Sequence, residues 1–178
     1  GRAATVLNTS VADILERTDI FAHGTTVSTN ALIQRRGARV GVLFTAGFED
    51  TLTIARGPIG RVGGLPQQQA MDFIHTEPPE PLVHREMIRG VPERVGSDGR
   101  VVSPLDEDAL RSAVESLVAD GAESLAVCLL WAFRNPAHEQ RIAEICDRIA
   151  PGLPVSLSHQ IAPKMGEFER AVTTVIDR

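Results

Sequence analysis

Aromatic side chains and clustered positive charge are both scarce in this sequence. Aromatic residues make up only 4% of the 178 residues and tyrosine is absent, which leaves core packing to aliphatic side chains. Lysine and arginine form no run that stands clear of neighbouring acids, and the net charge is -5. Because binding to a phosphate backbone needs concentrated positive charge, we expect no nucleic-acid partner.

Cysteine and long apolar runs are also rare. Cys128 and Cys146 lie among apolar neighbours without the spacing of a CxxC redox pair or a metal knuckle, so we predict buried, reduced thiols. The longest apolar run, residues 125–133, is less than half the length of about 20 residues that a bilayer helix needs. No charged segment followed by an apolar one opens the chain. We therefore expect a cytoplasmic protein with no membrane partner.

The common catalytic signatures are missing. The sequence contains no GxSxG elbow, HExxH helix, GxxxxGK[ST] loop or GxGxxG turn, and it predicts no metal site. Acidic neighbours such as Glu167 and Glu169 are interpreted as solvated helix faces. His138, in the first turn of a predicted helix, is interpreted as a surface residue, and His159 follows a predicted strand. The residues alone therefore assign no catalytic group.

Residues 20–36, IFAHGTTVSTNALIQRR, form the most informative stretch. An apolar run ends at His23, Gly24, Thr25 and Thr26 follow, and a helix-compatible segment continues to Gly37. A helix that begins near Thr26 would point unpaired N–H groups and its positive dipole end at a phosphate or carboxylate. The alternative is ordinary structure, in which a threonine caps a helix and a histidine ends a strand. Both interpretations stay open on the residues alone.

The segment after this helix predicts a second strand and two loops. Residues 39–44 would lie parallel to residues 20–23 in a right-handed βαβ unit, with the polar turn at the carboxyl end of its strand. Arg56 and Arg61 lie in the glycine-rich stretch RGPIGRVGG, which is either an anion-contacting loop or a plain connector. Residues 66–81 have little periodicity and predict a connector.

The remaining residues predict a hairpin and a second α/β unit. Strands at 85–95 and 100–103 would flank a GSDG turn. Apolar periodicity then predicts the following elements: helix 105–120, strand 124–130, a helix after Asn135 and Pro136, strand 154–158 and a last helix at 166–177. The expected fold is α/β, with two units of parallel strands joined by a loop and a β-hairpin. The predicted segments are residues 1–56, 57–103 and 104–178.

A family resemblance extends these predictions. The stretch HGTTVSTNALIQRRGARVGVLFTAGFEDTLTIARG resembles the HGTT-x-x-TNAL stretch and following GF-x-D segment of the N-terminal region in the hydantoinase A and 5-oxoprolinase family, which includes N-methylhydantoinase and acetone carboxylase-type subunits. The similarity continues through PEPLVHR, GVPERV, DGRVVSPLD, AVCLLWAFRNPAHEQR and SLSHQIAPKMGEFERAVTTV, and covers essentially the whole chain. The glycine-rich stretch GPIGRVGGL is more similar to the carboxylase and N-methylhydantoinase members than to the oxoprolinases.

The resemblance implies an ATP-dependent enzyme with a nucleotide-binding part like that of actin, Hsp70 and sugar kinases. Members open cyclic amides such as hydantoins or 5-oxoproline, or activate a ketone for carboxylation, often with a B-type subunit. The residues that match the HGTT-x-x-TN positions, and that the resemblance places near a nucleotide or substrate cleft, are His23, Gly24, Thr25, Thr26 and Asn30. A small-molecule substrate and ATP with Mg are expected for the parent protein.

The resemblance also predicts a fragment. The family's D-x-GGT-x-TD phosphate motif, expected before HGTT, and its second phosphate motif, expected after TTV, are not in this sequence. The chain starts at glycine and stops inside a predicted helix. Because both phosphate motifs are missing, we expect no ATP hydrolysis and no tight cofactor binding by the chain alone. The alternative is a noncatalytic anion-binding or protein-interaction module with the same fold. An in-frame D-x-GGT-x-TD upstream favours the enzyme, whereas a start codon directly before Gly1 favours the module.

Overall fold

The computed structural model describes residues 5–18, 26, 30–31, 33–34, 37–55, 57, 65–66, 69, 71–72, 75 and 80–177. Contacts within the chain define two compact units, Gly1–Arg36 and Gly37–Arg178. In the first unit, helix α1 (Val11–Glu16) begins with a capping box, in which the Ser10 hydroxyl accepts the Asp13 N–H at 3.0 Å. Among the described residues, no helix is long and apolar enough to cross a membrane.

A four-stranded parallel sheet forms the centre of the second unit. Its strands are β1 (Val40–Thr45), β2 (Ile88–Val91), β5 (Ser124–Cys128) and β6 (Val155–Leu157), in the order β2-β1-β5-β6. Every neighbouring pair is parallel. Strands β1 and β5 are buried along their whole length, as expected for a parallel sheet covered on both faces. The α/β class with parallel strands is confirmed.

Helices cover the two faces of this sheet. They are α2 (Thr51–Ile54), α3 (Glu107–Ala119), α4 (Ala137–Ile149), α5 (Ser158–Ile161) and α6 (Glu167–Ile176). On one face Gly41 permits close packing, because a Cβ there would lie 3.1 Å from Leu117 Cδ1 of α3. On the other face, the Cys128 Sγ lies 4.0 Å from the Glu167 carbonyl oxygen of α6.

The structure tests several of the predicted strand pairings. The parallel pairing of the last two strands is confirmed by the register of Leu125 with Val155 and of Val127 with Leu157. The predicted strand at residues 20–23 lies outside the described residues. Strand β1 has β2 on one side and β5 on the other. The four strands come from all three predicted segments, and the segment boundaries at residues 56 and 103 stay a prediction.

The hairpin prediction was wrong in its first half. Residues 85–95 do not form one strand: they comprise a 3-10 turn (Arg85–Met87), β2 in the parallel sheet, and the short β3 (Arg94–Val95). Only β3 pairs antiparallel with β4 (Val101–Ser103). Pro92 separates the two pieces, and because proline has no N–H it interrupts a strand ladder.

Both cysteines are free and buried, as predicted. Burial raises the pKa of the Cys128 thiol and of the Cys146 thiol to about 11 each. At pH 8 each thiol is therefore largely protonated, and little of the reactive thiolate is present.

Native protein should therefore resist alkylation by iodoacetamide at pH 8, because neither accessible surface nor thiolate is available. The same protein in denaturant should take up two labels within minutes. Mass spectrometry of the two samples checks this expectation. Equal labelling rates in the native and denatured protein would contradict the burial of these thiols.

Candidate functional site

The connections between strands change direction at the boundary between the neighbouring strands β1 and β5. The chain passes from β1 to β2 on one side and from β5 to β6 on the other. Helix α2, which follows β1, contacts α6, whereas α4, which follows β5, contacts α3 on the opposite face. In open α/β sheets, the crevice outside the carboxyl ends of the strands at such a switch point is the usual ligand site. The carboxyl ends of β1 and β5 therefore define the candidate site.

A first buried polar network joins the ends of β1 and β2 to α4. The Thr45 hydroxyl, at the end of β1, donates to Glu93 Oε1 and accepts the Leu130 N–H at 3.0 Å. The other carboxylate oxygen of Glu93, Oε2, accepts His138 Nδ1 at 2.7 Å. The Glu93 side chain has no exposed surface and that of His138 is 11% exposed. Both oxygens of this buried carboxylate are therefore satisfied, as burial of a charge requires.

A second network is centred on Glu139, which is fully buried in the first turn of α4. Its Oε1 accepts the Leu129 N–H at 2.9 Å and the Ser158 hydroxyl at 2.6 Å. Its Oε2 accepts the backbone N–H of His159 at 3.0 Å and the ring Nδ1 of His159 at 2.7 Å. Four donors therefore hold one carboxylate, and they tie α4 to the ends of β5 and β6.

Arg170 of α6 supplies the positive charge of the second network and is also fully buried. Its Nε donates to the Ser158 Oγ at 3.1 Å, and its Nη1 and Nη2 donate to the carbonyl oxygens of Lys164 and Leu129 at 3.2 and 2.7 Å. Ser158 thus bridges the guanidinium and the Glu139 carboxylate. The guanidinium carbon also lies 5.5 Å from the centroid of the Phe133 ring, within cation–π distance.

The two networks present two imidazoles in fixed orientations. A buried carboxylate holds Nδ1 of His138 and of His159, which fixes the tautomer of each ring. Neither Nε2 has a hydrogen bond within the described part of the chain. The arrangement can orient a proton donor or acceptor, and it also anchors the backbone at Leu129 and Leu130, where both networks meet.

Some of the sequence-predicted site residues are described and others are not. His23, Gly24, Thr25, Arg56 and Arg61 lie outside the described residues, and their place near a cleft stays a prediction.

Thr26 and Asn30 are described in the unit Gly1–Arg36, and both are exposed. The Thr26 carbonyl accepts the Asn30 N–H at 2.8 Å, and the Asn30 side-chain amide donates to the Thr26 Oγ1 at 3.4 Å. The backbone bond between these two residues has the i to i+4 spacing of an α-helix, and the role of Thr26 as a cap stays a prediction.

The sequence did not predict the buried polar side chains. His138 is buried and does not lie on the surface, because its ring is hydrogen-bonded to the buried carboxylate of Glu93. Glu139 shares a helix face with Ile142 and Cys146, at spacings of three and seven residues, so its position on an apolar stripe was the available signal. Arg170 likewise shares a buried face with Thr174 of α6.

A pocket elsewhere in the second unit is separate from these networks. It has a volume of 350 Å³ and is lined by Ala38, Arg39, Val40, Leu82, Val83, His84, Glu86 and Met87. These residues precede or begin β1 and β2, so the pocket lies at the amino edge of the sheet. Among the described residues, no group of three or more His, Cys, Asp or Glu side chains could hold a metal ion.

Comparison with known proteins identifies similar sequences and structures. The family model for the hydantoinase/oxoprolinase N-terminal region matches residues 2–150. The acetophenone carboxylase gamma subunit of Aromatoleum aromaticum is 41% identical over 94% of this chain and 24% of its own length. The crystal structure of the ATP-dependent caprolactamase from Pseudomonas jessenii aligns with a TM-score of 0.79 and 34% identity, covering 98% of this chain and 24% of that chain.

A nucleotide-free acetone carboxylase structure, from work on ATP-dependent acetone carboxylation, aligns with a TM-score of 0.75 and 30% identity. The alignment covers 84% of this chain and 22% of that chain. The chain thus spans about a quarter of the length of these three relatives.

Proposed function

The chain belongs to the hydantoinase/oxoprolinase N-terminal family, and from this premise we propose that it is part of a longer ATP-dependent enzyme that acts on a small carbonyl compound. The family match over residues 2–150 carries the proposal. The names of two relatives, an acetophenone carboxylase and a caprolactamase, point to a ketone and a lactam, which both react at or beside a carbonyl group.

Two reactions fit this class of substrate. One is the opening of a cyclic amide such as hydantoin, N-methylhydantoin or 5-oxoproline by water. The other is the carboxylation of a ketone by bicarbonate. Both reactions are unfavourable or slow unless the carbonyl group is activated. In either reaction ATP would supply the free energy for this activation. The noncatalytic module is not favoured, because the chain shares 41% and 34% identity with enzyme subunits.

The described residues do not form a complete site for Mg-ATP. The guanidinium of Arg170 donates to protein oxygens from Nε, Nη1 and Nη2, and the carboxylates of Glu93 and Glu139 are buried and occupied by donors. We therefore assign no step involving ATP to these residues. The proposed contacts to nucleotide or substrate are His23, Gly24, Thr25, Thr26 and Asn30, with Arg56 and Arg61 as loop contacts. We propose an actin-like fold for the complete nucleotide-binding part.

A partner subunit belongs to the proposal. Three relatives are named as subunits: the gamma subunit of acetophenone carboxylase, the alpha subunit of caprolactamase and the beta subunit of acetone carboxylase. We propose that the longer protein acts with a subunit of the hydantoinase B type.

Product analysis tests this proposal and separates the two reactions. The longer protein and its partner are incubated with Mg-ATP and either a cyclic amide or a ketone with labelled bicarbonate. We expect a ring-opened acid from the amide or a labelled carboxylate from the ketone. Absence of both products across a panel of lactams, hydantoins and ketones, with a folded complex, would contradict the proposed function.

The 178-residue chain alone should neither hydrolyse ATP nor bind Mg-ATP tightly. Catalysis of phosphoryl transfer depends on groups that position the phosphates, and the two phosphate motifs expected from the family are not found in this sequence. Calorimetric titration with Mg-ATP and an ADP-release assay check this, with the longer protein as the positive control. Micromolar affinity together with turnover by the 178-residue chain would refute the prediction.

A further inference from the structure

Trp131 has a backbone conformation that its side chain disfavours. Its φ is +57°, in the left-handed region that a bulky L-residue rarely adopts. It follows directly on Leu129 and Leu130, where the two buried networks meet at the end of β5. Such strain costs free energy and persists only where the surrounding structure fixes the backbone.

Hydrogen bonds fix the backbone on both sides of Trp131. Before it, the Leu129 N–H donates to Glu139, the Leu129 carbonyl accepts from Arg170, and the Leu130 N–H donates to Thr45. After it, the N–H groups of Arg134 and Asn135 donate to the Trp131 carbonyl at 2.8 and 3.1 Å. The Asn135 side chain also donates to the Gly99 carbonyl at 2.8 Å. The two networks therefore hold this turn in place.

The Trp131 side chain keeps part of its surface exposed beyond the carboxyl end of β5. Trp131 is only partly buried, and it follows the carboxyl end of β5 at the switch point of the sheet. Its ring packs against Phe133 with centroids 5.6 Å apart and planes tilted by 43°. The guanidinium of Arg170 in turn lies over the Phe133 ring. The Trp131 ring therefore packs against Phe133, which in turn contacts the buried guanidinium of Arg170.

We propose that Trp131 is a specificity-determining residue, whose indole contacts the planar ring of a ligand at the carboxyl edge of the sheet. This inference rests on the proposed function. A ring face of this kind belongs either to a ring-bearing carbonyl substrate or to the adenine of ATP. A ligand contact by the indole would explain why this position is not glycine. Glycine would adopt the positive φ without strain but would supply no ring.

Three variants of the longer protein, assayed with its partner, distinguish the effect of the indole ring from the effect of the backbone strain. Trp131→Gly removes both the indole and the strain, Trp131→Ala removes the indole and keeps most of the strain, and Trp131→Phe keeps an aromatic ring. We expect the KM of one ligand, ATP or the carbonyl substrate, to rise about tenfold in both the Gly and the Ala variant. The Phe variant should stay within about threefold of wild type.

The ligand whose KM rises identifies the ring that Trp131 contacts. The melting temperature of Trp131→Gly should equal or exceed that of Trp131→Ala, since glycine relieves the strain. A wild-type KM for both ligands in Trp131→Gly would overturn the inference and leave the proposed function intact. A Trp131→Gly protein less stable than Trp131→Ala would overturn the strain argument. Wild-type protein that forms no ATP-dependent product would overturn the proposed function, and this inference with it.

Discussion

Replacing Glu139 with alanine should lower the free energy of unfolding by about 3 to 5 kcal/mol. The Glu139 carboxylate is fully buried and accepts donors from Leu129, Ser158 and His159. Its removal leaves these donors unpaired and removes the buried carboxylate that Ser158 bridges to the Arg170 guanidinium. Because a domain of this size is stable by only about 5 to 15 kcal/mol, the loss would be a large fraction of the total.

Two further variants in the same helix serve as controls for this prediction. Glu139→Gln keeps the shape and one acceptor but cannot accept all four donors, so a smaller loss of about 1 to 3 kcal/mol is expected. Glu144→Ala removes a carboxylate that is 64% exposed and paired with Arg141, and should change stability by less than about 1 kcal/mol. Denaturant unfolding of the 178-residue chain measures all three. A loss for Glu139→Ala no larger than that for Glu144→Ala would contradict the structural importance of the network.

Replacing Thr26 with valine in the longer protein should lower the rate of turnover by on the order of a hundredfold, with little change in melting temperature. The reason is the proposed place of the Thr26 hydroxyl at a helix N-terminus that faces nucleotide or substrate. A contact made only in the transition state affects the rate and leaves the folded state nearly unchanged.

A purely structural role for Thr26 gives the opposite result. Loss of a helix cap costs about 0.5 to 2 kcal/mol of stability and leaves turnover nearly intact. The Thr26 hydroxyl also accepts the Asn30 side-chain amide at 3.4 Å, a contact that valine cannot replace. Thr26→Ser keeps the hydroxyl and should retain both stability and rate. If Thr26→Val lowers the melting temperature while the rate at a permissive temperature stays near wild type, Thr26 is a cap and its assignment to the site is wrong.

The sequence predicted the helices and strands that carry regular apolar patterns. Helices α3 and α4 and the parallel strands β5 and β6 follow from periodicity and from the order of elements along the chain. The neighbours of β1 could not be predicted in the same way, because strand order in a sheet depends on contacts distant in sequence. The predicted strand at residues 85–95 was wrong for a local reason, because Pro92 interrupts it, and this proline is visible in the sequence.

The buried networks were harder to predict than the elements that carry them. An acidic residue such as Glu139 in a helix is usually exposed, and only its shared face with Ile142 and Cys146 indicates burial. Its donors lie 10 to 20 residues away along the chain, and those of Glu93 lie 45 to 48 residues away. Periodicity identifies a face of a helix but not the partner that meets it.

The dependence of ATP consumption on a carbonyl compound tests the assignment to an ATP-dependent carbonyl enzyme most directly. The longer protein is purified with its partner subunit, and ADP release is followed with Mg-ATP in the presence and absence of a cyclic amide or of a ketone with bicarbonate. We predict that one of these compounds stimulates ADP release and that product forms in proportion to the ADP. ADP release that no carbonyl compound changes, or its absence from a folded complex, would contradict the assignment.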